Sequence, residues 1–234
     1  NETTDQTYFG GSPAILDLPL KQPVALAAHF ANGRRSFRAP YGNPQFIEGR
    51  LTSNGVALAN QTVRILESYV PGASATTRET EVVTDGDGRY RVLLGRCPAR
   101  TLVASFAGTR TLSRGASSPA SLRVQGRVGL RIKPKKVLNR GVIRMKGSVG
   151  FSGVLAPARG KIVAIQYFDP TRRKWRPVEV LRTNRLGRFS YRYRFRTITS
   201  VQRILFRASA LPEAGWPYLP STSKPQSVIV YPKG

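Results

Sequence analysis

An internal duplication constrains this fold more than any other feature of the sequence. Two stretches, beginning "ALAAHFANGRRSF" and "VGLRIKPKKVL", share one order of features: a short apolar strand, a basic connection, a strand ending in glycine, a turn and an apolar strand. Gly49 corresponds to Gly147, an offset of 98 residues, and Gly88 corresponds to Gly187, an offset of 99. A unit of about a hundred residues is therefore present twice and is expected to fold twice in the same way.

Within each unit the apolar segments are short, rich in β-branched and aromatic residues, and separated by Gly, Pro, Asn and Asp. This pattern favours strands over helices. About seven strands in about a hundred residues is typical of an immunoglobulin-like sandwich. The sequence therefore predicts an all-β chain of two tandem β-sandwich domains, residues 24–125 and 126–234, preceded by an N-terminal extension or linker over residues 1–23.

The pattern "GRLTSNGVALANQTVRI…TDGDGRYRV" resembles the carboxypeptidase regulatory-like and bacterial Ig-like domains. The tandem, arginine-rich arrangement looks like that of secreted or surface proteins of actinobacteria. The resemblance implies an immunoglobulin-like or transthyretin-like sandwich that is extracellular or at the cell surface, and it leaves open an accessory domain of a larger secreted enzyme. It says little about function, because one fold serves many functions.

Charge distinguishes the two repeats. The net charge is +26, and residues 126–234 carry 24 basic and three acidic residues, a net +21. Residues 24–125 carry a net +7, and residues 1–23 a net −2. An excess of this size predicts a polyanionic partner, a polyanionic setting, or mutual repulsion that keeps the molecules apart, and a polyanion is expected to contact the second repeat.

The segment "RFSYRYRFR" alternates arginine with aromatic rings, so as a strand it presents the rings on one side and the guanidinium groups on the other. The rings are expected in the core rather than on a stacking platform. The next segment upstream is expected to face this strand and contributes a second basic cluster. The predicted polyanion site comprises Arg172, Arg173, Lys174, Arg176, Arg188, Arg192, Arg194 and Arg196.

The first repeat serves as a control for this prediction. Its equivalent arginines are Arg89 and Arg91, and acidic residues nearby in sequence are expected to neutralise them across a hairpin. These acids are Glu79, Glu81, Asp85 and Asp87. In the second repeat only Glu179 is expected to oppose the arginines. The duplicated fold therefore does not require the arginine row, and a polyanion or counterions must relieve its repulsion.

Nothing in the sequence predicts catalysis, a metal site or a cofactor. The chain has one histidine, His29, within an apolar run, and one cysteine, Cys97, whose state the sequence leaves open. The common nucleophile, metal and phosphate-binding motifs are absent from the sequence. "TDGDGRY" has the start of a calcium loop, but its counterpart "TNRLGRF" lacks the ligands, so it is interpreted as a hairpin turn.

Three segments leave alternatives open. Trp216 and Tyr218 lie in a loop with no aromatic counterpart, and either contact a ligand or pack at the end or junction of the sandwiches. "KPKK", Lys133 to Lys136, is interpreted as a solvated basic loop. Residues 1–23 are a tail or linker, or a donor strand through "AILDLPL". A start at Asn1 is expected of a processed secreted protein or of a fragment.

The sequence thus predicts a non-catalytic extracellular structural or adhesive module that binds anionic polymers through its second repeat. Candidate polymers are cell-wall polymer, nucleic acid and acidic glycan, with no small-molecule substrate and no transmembrane segment expected. The alternative is assembly, in which residues 1–23 add a strand to the next copy and the repeats act as spacers or filament subunits.

Overall fold

A computed structural model describes residues 20–69, 77–96, 98–150 and 160–232. Within these ranges the regular structure is β-strand, and no helix is long and apolar enough to cross a membrane. Cys97 and the "AILDLPL" segment up to Pro19 lie outside the described residues. The described end of the N-terminal extension is tied to the first sandwich, since the Gln22 amide donates to the Thr111 carbonyl (2.8 Å).

The strands follow the alternating apolar pattern of the sequence. In the first half they are β1 (Val24–Leu26), β2 (His29–Phe30), β3 (Ser36–Ala39), β4 (Gln45–Ser53), β5 (Val56–Ala57), β6 (Thr62–Tyr69), β7 (Thr77–Val83), β8 (Arg89–Leu94), β9 (Arg100–Phe106), β10 (Gly115–Ala116) and β11 (Ala120–Val124).

In the second half they are β12 (Arg127–Lys133), β13 (Lys136–Leu138), β14 (Val142–Gly150), β15 (Ile162–Asp169), β16 (Lys174–Arg182), β17 (Arg188–Arg194), β18 (Gln202–Ala210), β19 (Ser221–Thr222) and β20 (Gln226–Tyr231).

Each half forms two facing sheets, and the order of strands is the same in both. In the first sandwich, β4 lies between β8 on one side and β1 and β2 on the other, and the second sheet has the order β3-β11-β9-β6-β7. In the second sandwich the orders are β12-β14-β17 and β13-β20-β18-β15-β16. The parallel pairs β3–β11 and β13–β20 also correspond. The chain is all-β with two sandwiches of one topology, so the predicted fold class is confirmed.

Alternation along the strands fills the core of each sandwich. The first core is built around Ile47, Leu51 and Ile65, which are fully buried. In the second core, Ile143 and Met145 of β14 are likewise fully buried. Burying a large aliphatic side chain of this kind contributes about 1.5–3 kcal/mol to folding. These inward positions carry the fold and leave the outward residues free to differ between the sandwiches.

The corresponding glycines and threonines have the same structural roles in both sandwiches: the glycines allow close packing and the threonines accept a backbone hydrogen bond. A side chain at Gly147 would collide with the Phe189 ring, as one at Gly49 would with Tyr90. The Thr183 hydroxyl accepts a hydrogen bond from the Lys161 amide (2.9 Å). Such a match between equivalent sites, at the residues aligned by sequence, shows that the duplication extends to packing detail.

One feature of the predicted local structure is wrong. "TDGDGRY" and "TNRLGRF" form tight turns, with the Asp85 and Asn184 side chains accepting amide hydrogen bonds, but neither turn closes a hairpin. Strand β7 pairs with β6 and β8 with β4, while β16 pairs with β15 and β17 with β14. Each turn therefore carries the chain from one sheet to the facing one, as sandwich connections commonly do.

Candidate functional site

The rings of β17 face inward, as the alternation predicts. Phe189 and Phe195 are buried, and Tyr191 and Tyr193 pack against the same core. The Tyr193 ring contacts Phe195 in an edge-to-face arrangement with centroids 5.0 Å apart. Burial, followed by the charge of Glu179 and a hydrogen bond to it, raises the pKa of Tyr191. A stacking platform on this strand is therefore excluded.

The arginines of β17 point outward, but their neighbours differ from the prediction. Strand β17 pairs with β14, so the residues opposite Arg192 and Arg194 are Arg144 and Val142, and not residues of β16. Strand β14 pairs in turn with β12, which places Lys133 opposite Arg144. One row across the sheet is thus Lys133, Arg144 and Arg192, three cations side by side.

Eight basic side chains share the outward side of this three-stranded sheet, and we call this surface the cationic face. All eight residues are exposed, with neighbouring strands about 4.8 Å apart and successive outward residues about 6.8 Å apart along a strand. The cationic face consists of Arg127, Arg131, Lys133, Arg144, Lys146, Arg188, Arg192 and Arg194.

The cationic face is concave over part of its area. A groove of about 810 Å³ is lined by five of its residues together with Pro134, Lys135 and Val142. Lys135 is held at the rim because its Nζ donates to Gln226 Oε1 (2.7 Å). Lys133 is the last residue of β12 and Lys136 the first of β13, so within "KPKK" only Pro134 and Lys135 form the connection between the sheets. The interpretation of the whole segment as a loop is wrong for Lys133, which lies in a strand and lines the groove.

Carboxylates that could neutralise the cationic face are engaged elsewhere. The second repeat has three, and all three are described. Asp169 pairs with Arg176 (3.5 Å), Glu213 pairs with Lys161 and Arg182, and Glu179 hydrogen-bonds Tyr191. Within the described part of the chain, no residue of the cationic face forms an ion pair.

The same face of the first sandwich is nearly neutralised. Register places Glu48 where the second sandwich has Lys146, and His29 where it has Arg131. Glu48 Oε1 lies 2.8 Å from Arg91 Nε, and Arg89 pairs with Asp87 (3.4 Å). His29 is half-buried and lines a shallow groove beside this pair.

The predicted neutralisation in the first repeat is thus correct in effect but partly wrong in its partners. Glu79 and Glu81 pair with Arg64 of β6, 3.3 and 3.0 Å away, on the other sheet. Glu48, which the sequence analysis did not consider, takes their place beside Arg91. The partners were predicted wrongly because β7 and β8 were assumed to form a hairpin, whereas they lie in different sheets.

The structure divides the predicted polyanion site into two surfaces. Arg188, Arg192 and Arg194 belong to the cationic face, and Arg196 is exposed just beyond the end of β17. Arg172, Arg173, Lys174 and Arg176 lie at the turn and start of β16, in the facing sheet. Within this second group Arg176 has a carboxylate partner, Asp169. The two groups do not form one surface.

Five cations of the face were missed by the sequence analysis: Arg127, Arg131, Lys133, Arg144 and Lys146. A signal for them exists in the sequence, because "RVGLRIK" and "IRMK" alternate apolar residues with basic residues or glycine, much as "RFSYRYRFR" alternates rings with arginines. Their convergence depends on the pairing of β12, β14 and β17. Strand order was needed to find it.

Trp216 and Tyr218 lie at the junction of the sandwiches. Tyr218 is buried in the core of the first sandwich, and Trp216 packs against both cores. The Pro217 carbonyl accepts a hydrogen bond from the Ala99 amide (2.9 Å), and the Leu219 amide donates to the Val124 carbonyl (2.8 Å). Interdomain packing is therefore what these aromatic residues do, and Tyr218 is not open to a ligand.

A buried charge cluster fixes this loop to the second sandwich. Lys161 is fully buried, with its Nζ 2.9 Å from Glu213 Oε2 and over the Trp216 ring at 5.1 Å. Arg182 Nη1 lies 2.8 Å from Glu213 Oε1. Burial lowers the pKa of Lys161, although Glu213 opposes that effect. Burial alone would raise the pKa of Glu213, but hydrogen bonds from Lys161 and Arg182 lower it.

No group of three or more metal-ligating side chains occurs among the residues that the structure describes. No protein family model matches the chain, and no curated protein matches it. The resemblance to carboxypeptidase regulatory-like domains therefore has no match behind it.

Solved structures to which the chain is similar include a domain of intimin, fibronectin(III)-like modules and an adhesin. The chain is similar to the D0-D1 domain of intimin over 88% of its length and 97% of that chain, with 16% identity and a TM-score of 0.30. For the fibronectin(III)-like modules of Clostridium thermocellum CbhA, coverage is 88% and 94%, identity 12% and TM-score 0.29. For the Yersinia pseudotuberculosis adhesin InvE, coverage is 88% and 58%, identity 11% and TM-score 0.38. TM-scores this low carry no functional argument.

Proposed function

We propose that this chain is a non-catalytic structural or adhesive module of the cell exterior that holds linear anionic polymers on its cationic face. The observation that carries the proposal is the row Lys133, Arg144 and Arg192, with like charges opposite one another and no carboxylate partner among the described residues. Like charges placed directly opposite on a sheet destabilise it. A polymer of negative charges removes that repulsion and gains the attraction.

The mechanism is release of counterions. Cations that neutralise charges of a polyanion free the ions condensed on it, so affinity falls steeply as salt rises. The outward positions of β12, β14 and β17 contain no aromatic ring that could read a base. Binding on this face is therefore expected to follow charge density, with no sequence preference.

The test uses inorganic polyphosphate, a linear polyanion without rings. We expect the variant Arg144→Gln/Arg192→Gln to bind about 20-fold more weakly than the wild type near 0.1 M salt, because two charge contacts of the groove are lost. Affinity is measured by fluorescence anisotropy of end-labelled polyphosphate. Circular dichroism checks that the variant keeps the β-sheet signal of the parent.

The matched control is Arg110→Gln/Arg114→Gln, which removes the same charge from exposed residues of the first sandwich. We expect it to lose less than threefold in affinity. Equal losses in the two variants would mean that net charge, and not this face, controls binding, and the proposal would then be wrong.

A further inference from the structure

The opposite sheet of the second sandwich carries half-buried aromatic residues on its outer side. Tyr167 and Phe206 occupy the core side of β15 and β18, so Phe168 and Leu205 point outward. Trp175 of β16 lies opposite Phe168, with ring centroids 5.3 Å apart. We call the shallow site that Phe168 and Leu205 line with Pro170, Arg203, Pro225 and Ser227 the aromatic groove, and it measures about 480 Å³.

The fold does not require these rings. In the first sandwich Ser68 of β6 pairs with Thr77 and with Thr101, at the positions that correspond to Phe168, Trp175 and Leu205. A polar surface therefore serves equally well on this side of the duplicated sheet. The second sandwich leaves part of the area of these apolar side chains exposed, and a partner can cover that area.

Cations surround these rings. Arg203 lines the aromatic groove, and the Arg207 guanidinium lies over the Trp175 ring at 4.3 Å. The turn before Trp175 adds the exposed Arg172, Arg173 and Lys174. The nearby carboxylate, Asp169, is paired with Arg176. Partly exposed rings and guanidinium groups thus share the outer side of this sheet, whereas strand β17 has its rings on one side and its arginines on the other.

We propose that the aromatic groove is a second binding site, and that it takes single-stranded nucleic acid. Bases stack on aromatic side chains while basic residues hold the phosphates, and this combination is the hallmark of single-strand recognition. The aromatic groove and the cationic face lie on opposite sheets. Binding at the aromatic groove can therefore be tested separately from the function proposed above. A polyanion without rings gains nothing from Phe168.

Tryptophan fluorescence provides a direct readout, since the chain has two tryptophans and Trp216 packs against the two cores at the junction, away from the aromatic groove. We expect an oligothymidylate to quench the emission of Trp175, and polyphosphate of the same charge to leave it unchanged. The variant Phe168→Ser, with the residue of the first sandwich, should require about tenfold more oligothymidylate for half-maximal quenching of Trp175, a signal that the cationic face does not contribute to. Its affinity for polyphosphate should stay within twofold of the wild type.

Two control variants separate this inference from the proposed function. Trp175→Phe should abolish the quenching and retain most of the affinity, because a ring remains. Arg144→Gln/Arg192→Gln should weaken polyphosphate binding and keep the oligothymidylate quenching. Absence of quenching while polyphosphate still binds overturns the second site alone. Equal quenching by heparin, which has no bases, overturns the assignment to nucleic acid.

Discussion

The two sandwiches share strand order and glycine positions, yet they treat charge in opposite ways. The first buries an ion pair, Glu67 with Arg100 (3.1 Å), and neutralises its exposed Arg91 with Glu48. The second has Tyr167 and Ile204 at the positions of the buried pair and leaves the cationic face unpaired. Charge on this scaffold is therefore independent of the fold, and the unpaired charge of the second sandwich calls for a functional explanation.

The largest expected effect comes from the buried pair of the first sandwich. Replacing Arg100→Leu leaves the Glu67 carboxylate buried without its cation, which should lower the free energy of unfolding by about 3–5 kcal/mol. Urea unfolding followed by circular dichroism measures the loss. Glu67→Tyr/Arg100→Ile, the pair found in the second sandwich, should lose clearly less. Equal losses in both variants would show that the sandwiches do not tolerate exchange at this site.

The second largest effect is expected at the junction of the two sandwiches. Glu213→Gln leaves Lys161 buried beside a neutral partner, and we expect a loss of about 2–3 kcal/mol in thermal unfolding. The pKa of Glu213 lies below its ordinary value of 4.5, so its stabilisation is complete above that pH and is lost as the pH falls further. Wild type should therefore lose stability more steeply than the variant in acid below pH 4.5. Parallel profiles for the two proteins would contradict this assignment.

A charge exchange on the cationic face tests the difference between the two sandwiches directly. Lys146→Glu installs the acid that the first sandwich carries as Glu48, opposite Arg131. Polyphosphate affinity should fall about 20-fold, because one cation is lost and a second is neutralised. Stability of the free protein should rise slightly at the same time. A variant that binds polyphosphate as the wild type does would show that the ligand lies elsewhere.

The smallest expected effect is the reverse exchange. Glu48→Lys removes the partner of Arg91 in the first sandwich, and an exposed pair of this kind contributes about 0.5 kcal/mol. The melting temperature should fall by a few degrees at most. Polyphosphate affinity should rise less than threefold, because the first sandwich lacks the remaining cations of the face. A rise as large as the loss in Lys146→Glu would mean that local charge alone creates a site.

Periodicity predicted those parts of the structure that depend on local sequence. Alternation along a strand fixes which side chains turn inward, so Phe189 and Phe195 could be placed in the core from sequence. The duplication fixed equivalent glycines and turns for the same reason. Both signals are contained within a few consecutive residues.

Strand pairing could not be predicted in this way, and it decided the site. Because β16 and β17 are adjacent in sequence, they are predicted to pair with each other. In the structure the chain passes from one sheet to the facing sheet between them. Arg131 and Arg192 are far apart in sequence and meet only through β14. The contacts of Trp216 likewise could not be predicted without knowing the junction between the sandwiches, since its partners come from both. Long-range register is the information that a single strand does not contain.

The salt dependence of polyphosphate binding tests the central claim most directly. If the groove residues Arg131, Lys133, Arg144, Lys146 and Arg192 each neutralise one phosphate, the plot of log affinity against log salt should have a slope of about −3.5. Arg144→Gln/Arg192→Gln should bring that slope to about −2.1. A slope near zero in the wild type, or the same slope in both proteins, would contradict a binding face made of unpaired cations.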